Sequence, residues 1–193
     1  RMGYIRFSEG DYSASLEHFQ RISRQGDYYP HALYYISYIA YVNEEFDAAT
    51  DGFKQLVDVE PYRGLAPFYL IQIEYRRGNY DYVVESGEQL VNAANGEVYD
   101  DLVRVMAEAY FAKRDYSQAI RYIKQYPNEK MGRQENYIKG YSLYRMTRYS
   151  EAVEPLKSVC GADDDLTQNA SYHLGDCYLR LGEKSAAADA FAM

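Results

Sequence analysis

The stretch Leu33–Pro61, LYYISYIAYVNEEFDAATDGFKQLVDVEP, decides the fold of this chain. It holds two segments of apolar residues separated by the short turn Glu44–Phe46. A small residue stands in each segment, Ser37 in the first and Ala49 in the second, and Phe53 follows Ala49 four positions later. Residues three and four apart share one face of an α-helix. The stretch therefore predicts two helices that pack closely where their small residues meet.

The same turn recurs along the whole chain. Successive turns are separated by 34, 34, 36, 33 and 35 residues, an interval typical of repeated helical hairpins. The turns are Gly10-Asp11-Tyr12, Glu44-Glu45-Phe46, Gly78-Asn79-Tyr80, Arg114-Asp115-Tyr116, Thr147-Arg148-Tyr149 and Gly182-Glu183-Lys184.

Three further positions follow the same frame. Seven residues before each turn stand Gly3, Ser37, Ile71, Ala107, Gly140 and Gly175. Twelve residues after those stand Ser15, Ala49, Val83, Ala119, Ala152 and Ala187. Four residues later stand Phe19, Phe53, Gly87, Ile123, Leu156 and Phe191. Most of the first two sets are small, so each hairpin is predicted to cross closely and to bury its apolar face against its neighbours.

This pattern resembles the tetratricopeptide repeat family. The resemblance rests on the two small residues, the following aromatic, the Gly-Asp-Tyr type of turn and Pro61 after the second helix. It covers nearly the whole chain and implies an all-α fold, an α-solenoid of about six antiparallel helical hairpins wound as a right-handed superhelix. The third repeat departs from the pattern, since Ile71 and Val83 replace small residues and Gly87 replaces a large one. We expect a locally altered crossing there.

The pattern predicts one solenoid domain, residues 1–193, with repeats at about 1–29, 30–63, 64–99, 100–132, 133–167 and 168–193. Helices are expected at about 1–9, 11–24, 30–43, 46–59, 64–77, 80–94, 98–113, 116–126, 133–146, 149–160, 167–181 and 184–193, with Thr167 as a helix cap. The first and last repeats are incomplete. We therefore expect a fragment of a longer protein.

Composition limits the classes of function. A net charge of -8 argues against nucleic acid and anionic membrane surfaces as partners. No apolar run approaches the roughly 20 residues of a membrane-spanning helix. The two cysteines, Cys160 and Cys177, do not form a disulfide framework in a chain of this length. The 24 tyrosines must be partly exposed or must line a surface, since each phenol has one apolar body and a polar tip.

A search for catalytic and metal-binding patterns finds none. The sequence holds no GxGxxG, GxxxxGK[ST], HExxH, GxSxG or CxxC pattern. The three histidines, His18, His31 and His173, stand in separate repeats without ligand spacing and are interpreted as surface or half-buried side chains. We expect no enzymatic activity, no cofactor and no metal.

The resemblance also implies a binding surface. In the family, the first helices of the hairpins line the concave face, where a segment of a partner protein binds. Carried over by position, the candidate partner-binding residues are Tyr34, Tyr38, Tyr41, Phe68, Tyr75, Arg76, Arg104, Phe111, Tyr137, Tyr141, Tyr144, Arg145 and Arg180. Tyrosine and arginine are enriched at binding hot spots. A groove of this composition suits a peptide with aromatic or aliphatic anchors and carboxylates.

Other interpretations stay open at this stage. The tyrosines could form core between hairpins, and the arginines could stack on them as cation–π pairs within the chain. Chaperone-binding members of the family grip a terminal carboxylate with lysines and asparagines, whereas this chain has mainly tyrosine or phenylalanine there. The principal hypothesis is a protein-interaction scaffold; the alternative is a structural spacer, or a module that self-associates through its C-terminal helix. The tyrosine-rich first helices are also similar to repeat proteins of the bacterial cell envelope, which implies a periplasmic or envelope setting.

Overall fold

The computed structural model describes residues 2–193 and shows an all-helical chain. Within these described residues there is no β-strand, so the expected all-α fold class is confirmed. A short 3-10 helix, Asn128–Lys130, precedes the fifth hairpin. The α-helices are α1 Met2–Ser8, α2 Tyr12–Gln20, α3 Tyr29–Val42, α4 Phe46–Lys54, α5 Leu65–Arg76, α6 Tyr80–Val91, α7 Gly96–Ala112, α8 Tyr116–Ile123, α9 Arg133–Arg145, α10 Tyr149–Lys157, α11 Asp165–Leu181 and α12 Lys184–Phe191.

The chain divides into two compact units, each an α-solenoid of stacked hairpins. The N-terminal unit comprises Arg1–Tyr82 and Ser86–Ala94, and the C-terminal unit comprises Val83–Glu85 and Asn95–Met193. In the N-terminal unit α1 packs on α2 and α3 on α4, and α2 and α4 each contact the helix that follows. In the C-terminal unit the hairpins α7–α8, α9–α10 and α11–α12 stack in the same way. One solenoid domain with the repeat bounds given above stays a prediction.

The small positions of the repeat lie at the buried crossings. All members of the first two frame sets are buried, including Ile71 and Val83 in the altered third repeat. A methyl group added to Gly140 would stand 2.7 Å from the Leu156 Cγ and 3.0 Å from the Leu156 backbone nitrogen. In the first hairpin the Ser15 hydroxyl donates to the Gly3 carbonyl over 2.9 Å. The α9–α10 crossing therefore leaves no room for a side chain at Gly140, and the α1–α2 crossing brings the Ser15 side chain onto the backbone at Gly3.

The turns share one backbone conformation. The first residue of each turn has a left-handed φ between 60° and 83°, whether it is glycine or not; these residues are Gly10, Glu44, Gly78, Arg114, Thr147 and Gly182. In three turns the next side chain caps the second helix, because Asp11, Asn79 and Asp115 accept from backbone N–H groups in its first turn. The turn thus reverses the chain and starts the second helix within three residues.

Several helix ends differ from the predicted ones. The second helices α2 and α4 end at Gln20 and Lys54, four and five residues early. After α4 the backbone bonds run to the third residue back, as from Leu56 N–H to Phe53 over 2.9 Å. Buried Leu56 therefore continues the apolar pattern in tight turns rather than in an α-helix.

The predicted cap of α11 is also wrong. The helix begins at Asp165 with Asp164 as its N-cap, and the Asp164 carboxylate accepts from the Thr167 N–H over 2.8 Å. The Thr167 hydroxyl instead accepts from Arg133 over 2.7 Å. Arg133 also forms two bonds with Asp164, which holds the pKa of that carboxyl well below its usual range.

We predict that Gly140→Ala destabilises the fold by about 1–3 kcal/mol, because the added methyl overpacks the α9–α10 crossing. The expected result is a lower midpoint of thermal unfolding by circular dichroism. Gly26→Ala serves as the matched control. Its added methyl meets only the Ser23 carbonyl, at 3.4 Å, in an exposed segment. Equal midpoints for the two variants would contradict the close crossing.

Candidate functional site

The predicted tyrosine stripe of α3 forms half-buried packing contacts with α5. Tyr34, Tyr38 and Tyr41 are all partly exposed. Their ring centroids lie 6.2, 5.6 and 5.4 Å from that of Tyr69. Burial raises the pKa of Tyr69 far above its ordinary value, and a side-chain hydrogen bond with Tyr34 adds to the shift. Tyr69, which is not among the predicted partner-binding residues, is thus the ring on which all three predicted tyrosines pack.

The same arrangement occurs three times within the two units. In each case two aromatic side chains of one first helix pack against a ring of the next first helix, and we call each set an aromatic triad. The third ring always stands two residues before the position that lies seven residues ahead of the turn, occupied by Ser37, Ile71 and Gly175 respectively. The triads are Tyr4, Phe7 with Tyr35 (5.9 and 4.8 Å), Tyr38, Tyr41 with Tyr69 (5.6 and 5.4 Å) and Tyr141, Tyr144 with His173 (4.7 and 4.8 Å).

Tyr34 takes part in packing on a second side as well. Its ring stacks on Tyr62 at 4.7 Å between centroids. Burial raises the pKa of Tyr62 to about 12, and its hydroxyl lies 2.6 Å from the His31 Nδ1. The Tyr62 phenol therefore carries its proton at neutral pH. The interpretation of a tyrosine as core between hairpins fits Tyr34 better than it fits Tyr38 or Tyr41.

The C-terminal unit carries an aromatic surface of its own. Tyr137 and Tyr141 stack at 5.6 Å, and Phe111 stands 6.3 and 5.6 Å from them. All three rings are partly exposed. The Tyr144 hydroxyl donates to the Asp176 carboxylate over 2.9 Å, and burial together with this bond raises the pKa of Tyr144 to about 12. The structure thus brings together the predicted residues Phe111, Tyr137, Tyr141 and Tyr144.

Three of the four predicted arginines are neutralised within the chain. Arg76 lies 3.6 Å from Glu44, Arg104 lies 2.8 Å from Glu108, and Arg180 lies 3.6 Å from Asp176. The Arg76 guanidinium also sits 4.8 Å from the centroid of the Tyr41 ring. These arginines are held by carboxylates and rings of the chain itself, as the cation–π interpretation anticipates for Arg76.

Arg145 has different partners. Its Nη1 donates to the hydroxyls of Tyr141 and Tyr116 over 3.0 and 3.2 Å. Its guanidinium carbon lies 5.0 Å from the Tyr116 ring centroid. No carboxylate among residues 2–193 lies within 4.0 Å of it. Its pKa is raised, first by the hydrogen bond to Tyr141.

The remaining predicted residues are placed less favourably for a partner. Phe68 is only 7% exposed and packs edge-on to Tyr69 at 5.4 Å. Tyr75 is partly exposed and packs near Tyr80 at 5.9 Å. Arg104 is partly buried beside Glu108. Phe68 therefore contributes to the core of the N-terminal unit.

The described part of the chain shows little that suggests other chemistry. It contains no group of three or more histidine, cysteine or acidic side chains placed to hold a metal ion. None of its helices combines the length and the apolar character needed to cross a membrane. His18 and His173 are half-buried and His31 is exposed, in line with the interpretation of surface or half-buried side chains.

A family comparison finds the tetratricopeptide repeat in the C-terminal part of the chain. The family model matches residues 137–193, which span the last two hairpins. No curated protein sequence matches the chain.

Comparison with solved structures identifies proteins of the same fold. MamA from AMB-1 aligns with a TM-score of 0.72 at 15% identity, covering 86% of this chain and 90% of MamA. MamA from MSR-1 aligns with a TM-score of 0.67 at 16% identity, covering 86% of this chain and 94% of that one. A putative kinesin light chain of Podosopora anserina with TPR-like repeats aligns with a TM-score of 0.58 at 15% identity. The alignment covers 87% of this chain and 94% of that one. At these identities the likeness concerns the fold alone.

The His173 triad yields a prediction about pH. The Nδ1 of His173 is buried and has no hydrogen-bond partner among the described residues. Burial lowers the pKa of His173; Asp176 opposes this shift and Arg145 adds to it. The unfolded chain therefore takes up this proton first as pH falls below about 6.5, so stability should fall from pH 7.5 towards 5.5.

His173→Phe keeps an aromatic ring in the triad and removes the titration. Thermal unfolding midpoints of the wild type and this variant, measured across that pH range, should diverge, with the wild type losing more stability at the acid end. Parallel curves would show that His173 does not couple protonation to folding.

Proposed function

We propose that this chain, a tetratricopeptide-repeat protein by the sequence of residues 137–193 and by its fold, binds a segment of another protein on the aromatic faces of its first helices. The tetratricopeptide fold generally mediates protein–protein interaction, and such repeats are typical of scaffolds rather than of enzymes. The partial exposure of the triad tyrosines carries the proposal to these particular residues.

The physical argument starts from what a partner would meet on each unit. Tyr38, Tyr41, Tyr141 and Tyr144 keep part of each side chain accessible while ring contacts hold the rest. A ring fixed in this way loses little conformational freedom when it is covered, so the area that it buries contributes to affinity. Tyrosine combines that apolar area with a hydroxyl that orients the partner backbone.

Two exposed tyrosines outside the first helices can be compared with the triad tyrosines. Tyr28 and Tyr82 are 74% and 39% exposed, but the first lies before α3 and the second on the second helix of its hairpin. If exposure alone made a tyrosine bind the partner, Tyr28 and Tyr82 would bind it as well as the triad tyrosines do. The proposal instead requires a position in a triad, which Tyr28 and Tyr82 lack.

The double variant Tyr38→Leu/Tyr141→Leu tests the proposal. Leucine keeps most of the packing volume and removes the ring face and hydroxyl, so we expect an intact fold and at least tenfold weaker capture of partner proteins. Proteins retained from a lysate of the source cells on the immobilised chain are quantified by mass spectrometry. Circular dichroism confirms the helical content of each variant.

The matched control is Tyr28→Leu/Tyr82→Leu, which makes the same chemical change at exposed positions outside the triads. We expect its captured proteins to equal those of the wild type. Undiminished capture by the triad variant, or an equal loss in both variants, would refute binding at the triads.

Self-association through the C-terminal helix is the second candidate. Phe191 of α12 is 48% exposed, whereas the residues at the same frame position, Phe53, Ile123 and Leu156, are buried. Leu179, near the end of α11, and Met193, after α12, are also exposed, at 49% and 62%. An apolar surface of this kind is covered favourably by another helix.

Sedimentation velocity at increasing concentration tests this second candidate. We expect the wild type to form a faster-sedimenting species at high concentration and Phe191→Glu to stay monomeric, because a carboxylate on that surface opposes its burial. A monomeric wild type at every concentration would remove the candidate and leave the binding proposal untouched.

A further inference from the structure

We propose that Arg145 anchors a side-chain carboxylate of the bound segment, so that the C-terminal unit selects an acidic residue flanked by an aromatic or aliphatic one. This inference rests on the proposed function, because it names the chemistry of the partner at that surface. Three features of Arg145 support it: how its nitrogens are used, what charge surrounds it and what lies beside it.

The first feature is that only one of the three guanidinium nitrogens of Arg145 forms hydrogen bonds within the described part of the chain. Both hydrogen bonds of Arg145 leave from Nη1, to the hydroxyls of Tyr141 and Tyr116. Nε and Nη2 form no hydrogen bond with any of residues 2–193. These two nitrogens form the fork that binds both oxygens of a carboxylate in parallel. The tyrosines thus hold one side of the guanidinium and leave the fork available.

The second feature is the missing counter-charge. The chain has 29 acidic and 21 basic residues, and Arg76, Arg104 and Arg180 each lie beside a carboxylate. Arg148, three residues after Arg145, is bound by both oxygens of Glu151 over 2.6 Å. Arg145 has no such partner within residues 2–193, and Asp176, on the neighbouring helix, is engaged by Tyr144 and Arg180. A partner carboxylate would supply the charge that the chain itself does not.

The third feature is the apolar surface next to the fork. The rings of Tyr137, Tyr141 and Phe111 lie together, and Arg145 projects beside Tyr141 from the end of α9. A side chain next to the acidic residue can therefore pack on these rings while the carboxylate meets the guanidinium. A single guanidinium fork with aromatic rings beside it suits an internal acidic side chain that has an apolar neighbour.

Peptide pools provide the test. The probes are hexapeptides, acetylated and amidated at their ends, with one aspartate or glutamate between phenylalanine, tyrosine or leucine residues. A matched pool carries asparagine or glutamine instead. Binding of fluorescent pools is measured by anisotropy at low and high salt. We expect the acidic pool to bind at least tenfold more tightly than the amide pool, and to weaken as salt rises.

Two arginine variants locate the effect. Arg145→Gln should remove the preference for the acidic pool, and Arg145→Lys should keep only part of it, since lysine retains the charge without the fork. Arg148→Gln is the control, because it makes the same change at an arginine already bound by Glu151, and it should leave the preference intact. Circular dichroism of each variant checks the fold.

The inference would be overturned by equal binding of the two pools, by no binding of the acidic pool at millimolar concentration, or by an unchanged preference in Arg145→Gln. A preference only for peptides with a free C-terminus, tested in a third arm, would assign the site to a terminal carboxylate and also overturn it. The proposed function has its own test: it fails if the Tyr38→Leu/Tyr141→Leu variant captures as much partner protein as the wild type.

Discussion

The close approach of two helices at their small residues is the constraint on which the rest of this structure depends. At Gly140 the α9 backbone lies so near Leu156 that even one methyl group would meet it. The same frame positions are buried in every hairpin, and the first residue of every turn has a left-handed φ. The second helix packs on the first in the hairpins α1–α2, α3–α4, α7–α8, α9–α10 and α11–α12. With the crossing set in this way, the orientation of each first helix within its unit is determined, and so is the direction in which its tyrosines project.

The aromatic triads follow from that geometry. In each triad the rings one and four positions after the small residue of one first helix face the next first helix. The ring that meets them stands two positions before the equivalent residue of that next helix, for example Ile71 or Gly175. Such edge contacts stabilise the stack, yet they cover only part of each ring. The tyrosines therefore belong both to the packing between hairpins and to the surface. The interpretation as core between hairpins therefore describes one side of each tyrosine, and the other side is the exposed part on which the proposed binding depends.

The sequence predicted the repeats well because backbone constraints recur in them. Small residues, turns and the following apolar residue return at a nearly constant interval, and each return is independent support for the same hairpin. Helix ends were predicted less well, since Leu56 and similar residues stay buried in tight turns after the α-helix has ended. The packing role of Tyr69 and His173 was not predicted. Val105 and Ile138 occupy the equivalent position in two other repeats, so no recurring aromatic residue marks that position in the sequence.

The ion pairs of the predicted arginines could not be predicted from the sequence. Four arginines on first helices predicted a positively charged groove, but charge at a site depends on neighbours from other helices. Glu44 and Asp176 neutralise Arg76 and Arg180, and only coordinates reveal those pairs. The distinct position of Arg145, held by two phenols and by no carboxylate of the described chain, has no signature in the order of residues.

Site-specific photo-crosslinking tests the central claim, binding at the first-helix tyrosines, most directly. Benzoyl-phenylalanine replaces Tyr41 or Tyr144 in one set of proteins, and Tyr82 on a second helix in the other. The account predicts that a partner protein crosslinks from positions 41 or 144 and not from position 82. Crosslinks from position 82 alone would place the partner on the opposite helices and contradict the account.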